Sequence, residues 1–318
     1  METEIQISEV FGSSLSLKNY LGEEKETKVY EAKYQKEEVL LKVISKKNLK
    51  NFNQVMIEVG FIKYLSQYIS SQKHIYRCLN LKLTDDFLYV VLEKPRGIPL
   101  QKLFQKPLEI DWKEYQRLIT MIMFRLLLGI NYIHKKGVAH RGINPETIHV
   151  VYKDKLIEDC RLSDFAASCG KYIGYPPKED HKDDAYYKLC QTIDIGDQSP
   201  PENSKISSLV KKIKSLAKDQ TRNSIYLYLA KKADIWALGI LFWKLLNRKS
   251  LKDNPLELEF PSNYKKNHDW KKYQGHKNKL LEDIHSLVVK MMLSEIPDRS
   301  KSHEILETFA IHYKYFEE

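Results

Sequence analysis

The sequence predicts an α+β protein with a β-rich first lobe, residues 1–93, and a helical second lobe, residues 94–318. In the first third, short apolar runs alternate with turn residues, whereas long apolar segments with helical spacing follow residue 112. The 318 residues are 42% hydrophobic, which supplies a large buried core and excludes a mostly disordered chain. We therefore expect two lobes with a cleft between them.

The first lobe is predicted to contain two strand pairs and one helix. Apolar runs at 28–34 and 38–44 flank a polar Gln-Lys-Glu turn, which is a hairpin signal. Residues 51–69 switch to helical spacing, and strand patterning returns at 76–83 and 87–92.

The second lobe is predicted to be chiefly helical, with long helices over 112–134, 233–246 and 280–293. Its most apolar stretch, residues 119–130, contains Arg125 and is too short to span a membrane. We interpret that stretch as part of a buried helix.

Charge and cysteine content suggest a setting for the protein. The chain has 52 Lys and Arg against 42 Asp and Glu, a net charge of +10 that raises the question of an anionic partner. Its four cysteines form no Cys-x-x-Cys pair and no zinc-ligand spacing, so we expect no metal site and reduced thiols. The first ten residues lack the basic and apolar regions of a signal peptide. We expect an intracellular, cytoplasmic protein.

Short motifs occur in an order that carries a family resemblance. Residues 132–148 read YIHKKGVAHRGINPETI, which is similar to the protein-kinase catalytic loop H-R-D-L-x-x-x-N. Further matches are 39–42 for V-A-I-K, Glu58 in the next helix, 88–97 for the hinge, 164–166 for D-F-G, 200–202 for A-P-E, 233–239 for the D-x-W-x-x-G helix start, and 297–299 for a late Arg. Over residues 20–310 the chain resembles a two-lobed protein kinase.

The resemblance also shows that catalytic positions have changed. Gly142 stands where the family has its catalytic Asp, and Thr147 stands where Asn binds the second metal. Ala166 replaces the flexible glycine of D-F-G, while Asp164 remains and would hold one Mg²⁺. We therefore predict that none of the degenerate positions is catalytic.

The predicted nucleotide site departs from the family as well. Residues 22–29, GEEKETKV, align with the Gly-rich phosphate loop but keep only its first glycine and add three glutamates, whose charge repels a polyphosphate. By the resemblance, Leu40 fills the space over the adenine ring and Leu92 is the gatekeeper. Pro95 lacks the N–H that would bond adenine, and His149 replaces an apolar residue beneath the base.

Three charged residues of the family site persist, namely Lys42, Glu58 and Asp164. One interpretation is residual nucleotide binding. The interpretation that we favour is a structural ion pair with an inherited carboxylate, because a buried charge is costly without its partner.

The resemblance also implies two sets of residues with structural roles. An apolar spine that joins the lobes would consist of Ile62, Leu79, His140 and Phe165. Architectural polar residues would be Glu202, Asp234 and Arg299.

These residues lead to a functional hypothesis. We expect a catalytically inactive kinase-fold protein, a pseudokinase, that acts as a scaffold or allosteric module in an intracellular complex. No cofactor is expected, although weak ATP binding stays open. The alternatives are a nucleotide-binding sensor without turnover and an atypical active Ser/Thr kinase that uses Asp164 with one metal.

A basic insert is the predicted partner-binding surface. Residues 203–232 hold eight basic residues and one acidic residue, a net charge of +7. Apolar residues recur at helical spacing over 206–217, and Lys211, Lys212, Lys214 and Lys218 lie mostly off that stripe. An acidic protein partner is the leading interpretation, and a helix packed on the second lobe with a solvated basic face is the alternative. Nucleic acid and anionic membrane rank lower, although residues 265–279 interleave lysines with aromatic rings.

Overall fold

The computed structural model describes residues 2–24, 27–47, 49–68, 73–105, 108–170, 222–246, 279–291 and 299–317. Within these ranges the chain has a sheet-rich first part and a helical second part, which confirms the predicted α+β class. Lys211, Lys212, Lys214, Lys218, Glu202 and most of the 265–279 run lie outside the described residues.

The first lobe is built on a five-stranded antiparallel sheet in the order β1-β2-β3-β5-β4. Its strands are β1 Leu15–Glu24, β2 Thr27–Tyr34, β3 Glu37–Ser45, β4 Cys78–Leu83 and β5 Phe87–Glu93. Both predicted hairpins are therefore confirmed.

The β2–β3 turn follows directly from its sequence. Tyr34 pairs with Glu37, and the two residues between them, Gln35 and Lys36, have positive φ angles of 48° and 81°. Positive φ at both central residues matches the right-handed twist of a two-residue hairpin. The pairing fixes which β3 residues face each side of the sheet.

Successive side chains of β3 point alternately to the core and to the cleft. Val39, Leu41 and Val43 are buried on one face, which packs beneath helix α1, Glu2–Phe11. The intervening residues of β3 have period-two spacing and therefore point to the opposite face. That opposite face carries Leu40 and Lys42.

Helix α2, Leu49–Ser66, confirms the helix predicted over 51–69. Its side chains Met56, Val59, Phe61 and Leu65 are buried in the main apolar cluster. This cluster extends from α2 into the second lobe and so holds the two lobes together.

The second lobe is organised around helix α4, Trp112–Lys135, which follows the short helix α3, Leu100–Leu103. Asp111 begins α4 with a capping box: its carboxylate accepts a hydrogen bond from the Glu114 N–H at 2.7 Å, and the Glu114 carboxylate accepts one from the Asp111 N–H at 3.2 Å. α4 is long and apolar enough to cross a membrane, but 72% of its most apolar window is buried in the fold. It is the core helix of this lobe.

Three more helices complete the described part of the lobe: α5 Arg222–Leu246, α6 Lys279–Met291 and α7 Ser302–Glu317. The start predicted for α5, residue 233, is wrong. Residues 222–232 continue the helix backwards because Ile225, Tyr226 and Leu229 are buried in a cluster of their own with Ala139 and Cys169. The end of the basic insert is therefore part of a packed helix.

Short strands position the loops at the cleft. Strands β6 Ile98–Pro99, β8 Ile148–Lys153 and β9 Leu156–Leu162 form one small sheet. Strand β7 Val138–Ala139 pairs with β10 Cys169–Gly170. These pairings bring the loop that follows β7 beside the loop that follows β9.

Candidate functional site

A cavity of about 470 Å³ lies between the lobes and gathers most of the predicted site. Its walls come from β2, β3, α2, β5 and the loops that follow β5 and β9. The lining residues are Thr27, Val29, Leu40, Lys42, Val55, Glu58, Ile62, Tyr76, Leu92, Glu93, Pro95, His149, Ser163, Asp164, Phe165 and Ala166. Sequence motifs more than 100 residues apart thus meet in one place.

Lys42, Glu58 and Asp164 share this cavity. Burial raises the pKa of Glu58 above 4.5, Lys42 opposes the rise, and the Asp164 carboxylate adds to it. The three charges therefore act on one another electrostatically, and the structural ion pair stays a prediction.

Asp164 has an unusual backbone. Its φ is +60°, and its carboxylate accepts a hydrogen bond from the Ala166 N–H at 3.2 Å. The side chain is exposed toward the cleft. Among the described residues, no group of three or more His, Cys, Asp or Glu is arranged to hold a metal ion.

Gly142 leaves the catalytic-base position without a side chain. Its N–H donates to His140 Nδ1 at 3.2 Å. A Cβ placed on Gly142 would lie 3.6 Å from Ala167 Cβ and 3.6 Å from His140 Nδ1, which is ordinary contact. The position therefore has room for a Cβ, but the sequence supplies no side chain there.

The Thr147 hydroxyl is engaged inside the loop. It can donate its proton to the carbonyl oxygen of Gly142, at 2.9 Å, or to that of Asn144, at 3.1 Å. It also accepts the Asn144 N–H at 3.2 Å, and the residue is buried. A hydroxyl with one proton and these partners has little capacity left for a metal.

The loop nonetheless keeps its scaffold through Asp234 on α5, which is 1% exposed. Its carboxylate accepts the backbone N–H groups of His140, at 2.8 Å, and Arg141, at 2.7 Å. His134 Nε2 lies 2.9 Å from the same carboxylate, a contact that sequence reasoning did not anticipate. The architectural role predicted for Asp234 is confirmed.

Arg299, the second architectural prediction within the described residues, is 1% exposed. Its guanidinium donates to the Lys232 carbonyl at 2.9 Å and lies 4.9 Å from the Trp236 ring centroid. The side chain thus anchors the residues before α7 to α5.

The predicted apolar spine is correct at three positions and wrong at one. The rings of His140 and Phe165 are 4.8 Å apart, and Ile62 and Phe165 belong to the main apolar cluster. Leu79 instead packs on the opposite face of the sheet, with the cluster beneath α1. A register shift between Cys78 and Asn80 turns β4 so that Cys78 faces the main cluster.

The residues that the resemblance placed around adenine line one end of the cavity. Leu40 and Leu92 are register partners on β3 and β5, and both line the cavity beside Pro95. His149 Nδ1 lies 3.2 Å from Ser163 Oγ, and burial lowers the pKa of the ring below 6.5. An uncharged imidazole therefore occupies this wall.

Tyr76 is a cavity residue that no sequence motif predicted. Its ring meets His149 edge-on at 5.6 Å, and its hydroxyl donates to the Arg96 carbonyl at 3.0 Å. Nearby, the Glu93 carboxylate pairs with Arg77 at 3.1 Å and with Arg161 at 2.6 Å. This ion cluster ties the end of β5 to β9.

The phosphate-loop region forms a regular hairpin. β1 and β2 pair as far as Glu24 and Thr27, with Glu23 opposite Lys28 and Gly22 at φ +139°. Glu26 lies outside the described residues. The described part of this region is thus an antiparallel strand pair.

Comparison with known proteins agrees with this architecture of two lobes and an intervening cleft. Residues 15–310 match the family described as the protein kinase domain, and the chain belongs to that family.

Three relatives illustrate the likeness. The chain is 23% identical over 207 residues to MAP kinase-interacting serine/threonine-protein kinase 1 of Xenopus tropicalis, which covers 65% of this chain and 43% of the relative. It is 25% identical over 173 residues to serine/threonine-protein kinase Nek10 of Homo sapiens, 54% of this chain and 12% of the relative. Serine/threonine-protein kinase grp of Drosophila melanogaster is 31% identical over 130 residues, 41% of this chain and 23% of the relative. The chain thus spans less than half the length of each relative.

Proposed function

We propose that the chain is a pseudokinase, a kinase-fold protein without phosphoryl transfer, which acts as a scaffold or allosteric interaction module in an intracellular complex. The observation that carries the proposal is Gly142, because the loop around it keeps its architecture while the catalytic carboxylate is absent from the sequence. Kinase catalysis needs that carboxylate to accept the proton of the substrate hydroxyl.

Two further features support the same proposal. The Thr147 hydroxyl is bonded within its own loop and is poorly placed to replace an asparagine as a metal ligand. Leu40, Pro95 and His149 together crowd the adenine end of the cleft and remove one of its backbone donors. Several independent requirements of phosphoryl transfer are thus weakened at once.

Phosphate transfer is expected to stay at background in an assay with labelled ATP, Mg²⁺ and a degenerate serine/threonine peptide library. Loss of a general base alone costs about 10²–10⁴ in rate. The matched control is Lys42→Ala, and an active kinase run in parallel verifies the reagents. Incorporation well above background that Lys42→Ala abolishes would show that the chain is an active kinase.

A nucleotide sensor without turnover is the second candidate, because Lys42, Glu58 and Asp164 still line one cavity. ATP at 5 mM, with or without Mg²⁺, is expected to leave the melting temperature of the wild-type chain unchanged. A bound ligand must stabilise the folded state by mass action, so no shift means a dissociation constant well above that concentration.

Two variants test whether the side chains at the adenine end exclude ATP, and whether any binding of ATP depends on Lys42. Leu40→Ala with Pro95→Ala enlarges the adenine end and restores an N–H, so this double variant is expected to gain a shift with ATP. Lys42→Ala removes the phosphate partner. A shift in the wild-type chain that Lys42→Ala removes would support the sensor and contradict a cleft closed to nucleotide.

We also propose that the partner is a cytoplasmic protein and that its acidic surface binds the basic insert. The buried free thiols of Cys78 and Cys160 fit a reducing setting. Because residues 222–232 belong to the packed helix α5, a deletion that tests the insert should stop at residue 221.

A further inference from the structure

A second cavity, of about 290 Å³, lies within the helical lobe and shares no lining residue with the interlobe cleft. It is bounded by the last turn of α4, the first half of α5 and the residues that begin α7. We call it the lysine pocket, defined by Lys135, Lys231, Lys232 and Lys301 together with Leu227, Tyr228 and Ile235.

The inner walls of the lysine pocket are largely apolar. Leu227, Tyr228 and Ile235 lie within an arc of about 100° around α5, so all three can face the pocket. The aliphatic stems of the neighbouring lysines extend this surface. Because ligand pockets usually measure about 300–1,000 Å³, the volume suits one large side chain better than a nucleotide.

The charge around the pocket has one sign. The twelve described residues that line it include four lysines and no carboxylate. Lys231 Nζ donates to the His134 carbonyl at 2.7 Å, and Lys232 Nζ donates to the Arg299 carbonyl. Both ammonium groups are therefore bonded to neutral oxygens, which do not cancel their charge. Burial lowers the pKa of Lys231 and brings the pKa of Lys232 to about 8, so both groups remain mostly protonated at pH 7.

Two carboxylates that interact electrostatically with the pocket lysines are already engaged. Glu304, in the first turn of α7, interacts electrostatically with Lys232 and accepts the Lys301 N–H at 2.7 Å. Asp234 is held by the loop that follows β7. Lys135 and Lys301 are exposed at the rim, where an incoming carboxylate would meet them.

We propose that the lysine pocket is a docking site for an acidic segment of a partner protein. The segment places one large apolar side chain against Leu227 and Ile235, and its flanking carboxylates meet Lys135 and Lys301. The combination of apolar walls and a cationic rim carries the proposal, because a simple anion would gain nothing from the walls. The proposal holds whether or not the interlobe cleft binds ATP.

The test uses the full chain and a fluorescein-labelled peptide with one phenylalanine between two runs of three glutamates, read by fluorescence anisotropy. We expect Lys135→Glu to weaken binding about fivefold or more, since it turns an attraction into a repulsion. Lys113→Glu is the matched control: it is equally exposed, changes the net charge equally and lies on the same helix about 30 Å away. It should leave the affinity within about twofold, given its distance from the pocket.

A second pair of measurements tests the apolar walls. Replacing the phenylalanine of the peptide by serine is expected to weaken binding about tenfold or more, because burial of that ring supplies much of the affinity. Ser224→Trp, at an exposed lining position, should fill the pocket and have the same effect. Equal effects of Lys135→Glu and Lys113→Glu, or equal binding of the two peptides, would overturn the proposal. Tighter binding of a 20-nucleotide oligothymidine that Lys135→Glu weakens would overturn it in favour of nucleic acid.

Discussion

Replacing Asp234 by alanine is expected to lower the free energy of unfolding by about 3–5 kcal/mol. The carboxylate is 1% exposed and accepts bonds from His140 N–H, Arg141 N–H and the His134 ring. Removal leaves two backbone donors buried without an acceptor, and each such group costs about 1–3 kcal/mol. The ring of His134 would lose its partner as well.

Urea unfolding followed by circular dichroism measures this change. Asp86→Ala, in the exposed turn between β4 and β5, is the control and should cost less than about 0.5 kcal/mol. Should Asp234→Ala not fold, Asp234→Asn keeps the test open, since it retains one acceptor and should lose an intermediate amount. Equal stability of Asp234→Ala and Asp86→Ala would show that the loop does not depend on this carboxylate.

The Asp234 contacts bear on function as well as on stability. They hold the backbone at Gly142 in place although that residue has no carboxylate to position. A loop maintained without its catalytic group fits a protein that uses the kinase fold for binding. The retained contacts support the proposed pseudokinase and distinguish it from a chain whose fold has decayed.

Much of the fold and cleft was predictable from the sequence. The β2–β3 hairpin followed from its apolar alternation and polar turn, and the positions of Leu40, Lys42 and Pro95 followed from motif order. Such signals are local, or they come from a family pattern that fixes many long-range contacts together.

The errors have identifiable physical causes. Leu79 was placed on the wrong face because the register shift between Cys78 and Asn80 changes the alternation along β4, and no residue type announces it. The start of α5 was set from the motif at 233–239, although Ile225 and Leu229 already had helical spacing. Periodicity was the better guide at that boundary.

Other features depend on contacts that a single sequence does not reveal. Tyr76 meets His149 across 73 positions of sequence, and Glu93 pairs with Arg161 across 68. The lysine pocket joins the last turn of α4, the first half of α5 and the start of α7. Each segment looks like an ordinary stretch of helix when it is considered alone.

Stability is expected to fall as the pH is lowered from 7.5 to 5.5, because two buried histidines are uncharged in the folded state. Burial lowers the pKa of His134 and of His140 below 6.5. The geometry of His140 agrees: Nδ1 accepts the Gly142 N–H, so Nε2 carries the proton and donates to the Ser163 carbonyl at 3.1 Å. A second proton, on Nδ1, would point at the Gly142 N–H, which is itself a donor.

The direction of this change in stability follows from the number of protons that the folded and the unfolded chain bind. Below pH 6.5 the unfolded chain binds protons that the folded chain refuses, so each histidine lowers the free energy of unfolding by up to about 1.4 kcal/mol per pH unit. Glu58 acts in the opposite direction, because burial raises its pKa and the folded state takes up a proton there more readily. His74 and His149 contribute with the same sign, because burial lowers their pKa as well. The net slope is the contribution of these four histidines reduced by that of Glu58.

Urea unfolding at intervals of 0.5 pH unit gives this slope, and two variants separate its sources. His134→Gln removes one of the four histidines and is expected to make the slope shallower. Glu58→Gln removes the opposing carboxylate and should make it steeper. Stability that rises as the pH falls in the wild-type chain, with no change of slope in either variant, would contradict the assignment of neutral His134 and His140 to the folded state. If Glu58→Gln alone fails to steepen the slope, the carboxylate titrates below this range and the histidines account for the pH dependence by themselves.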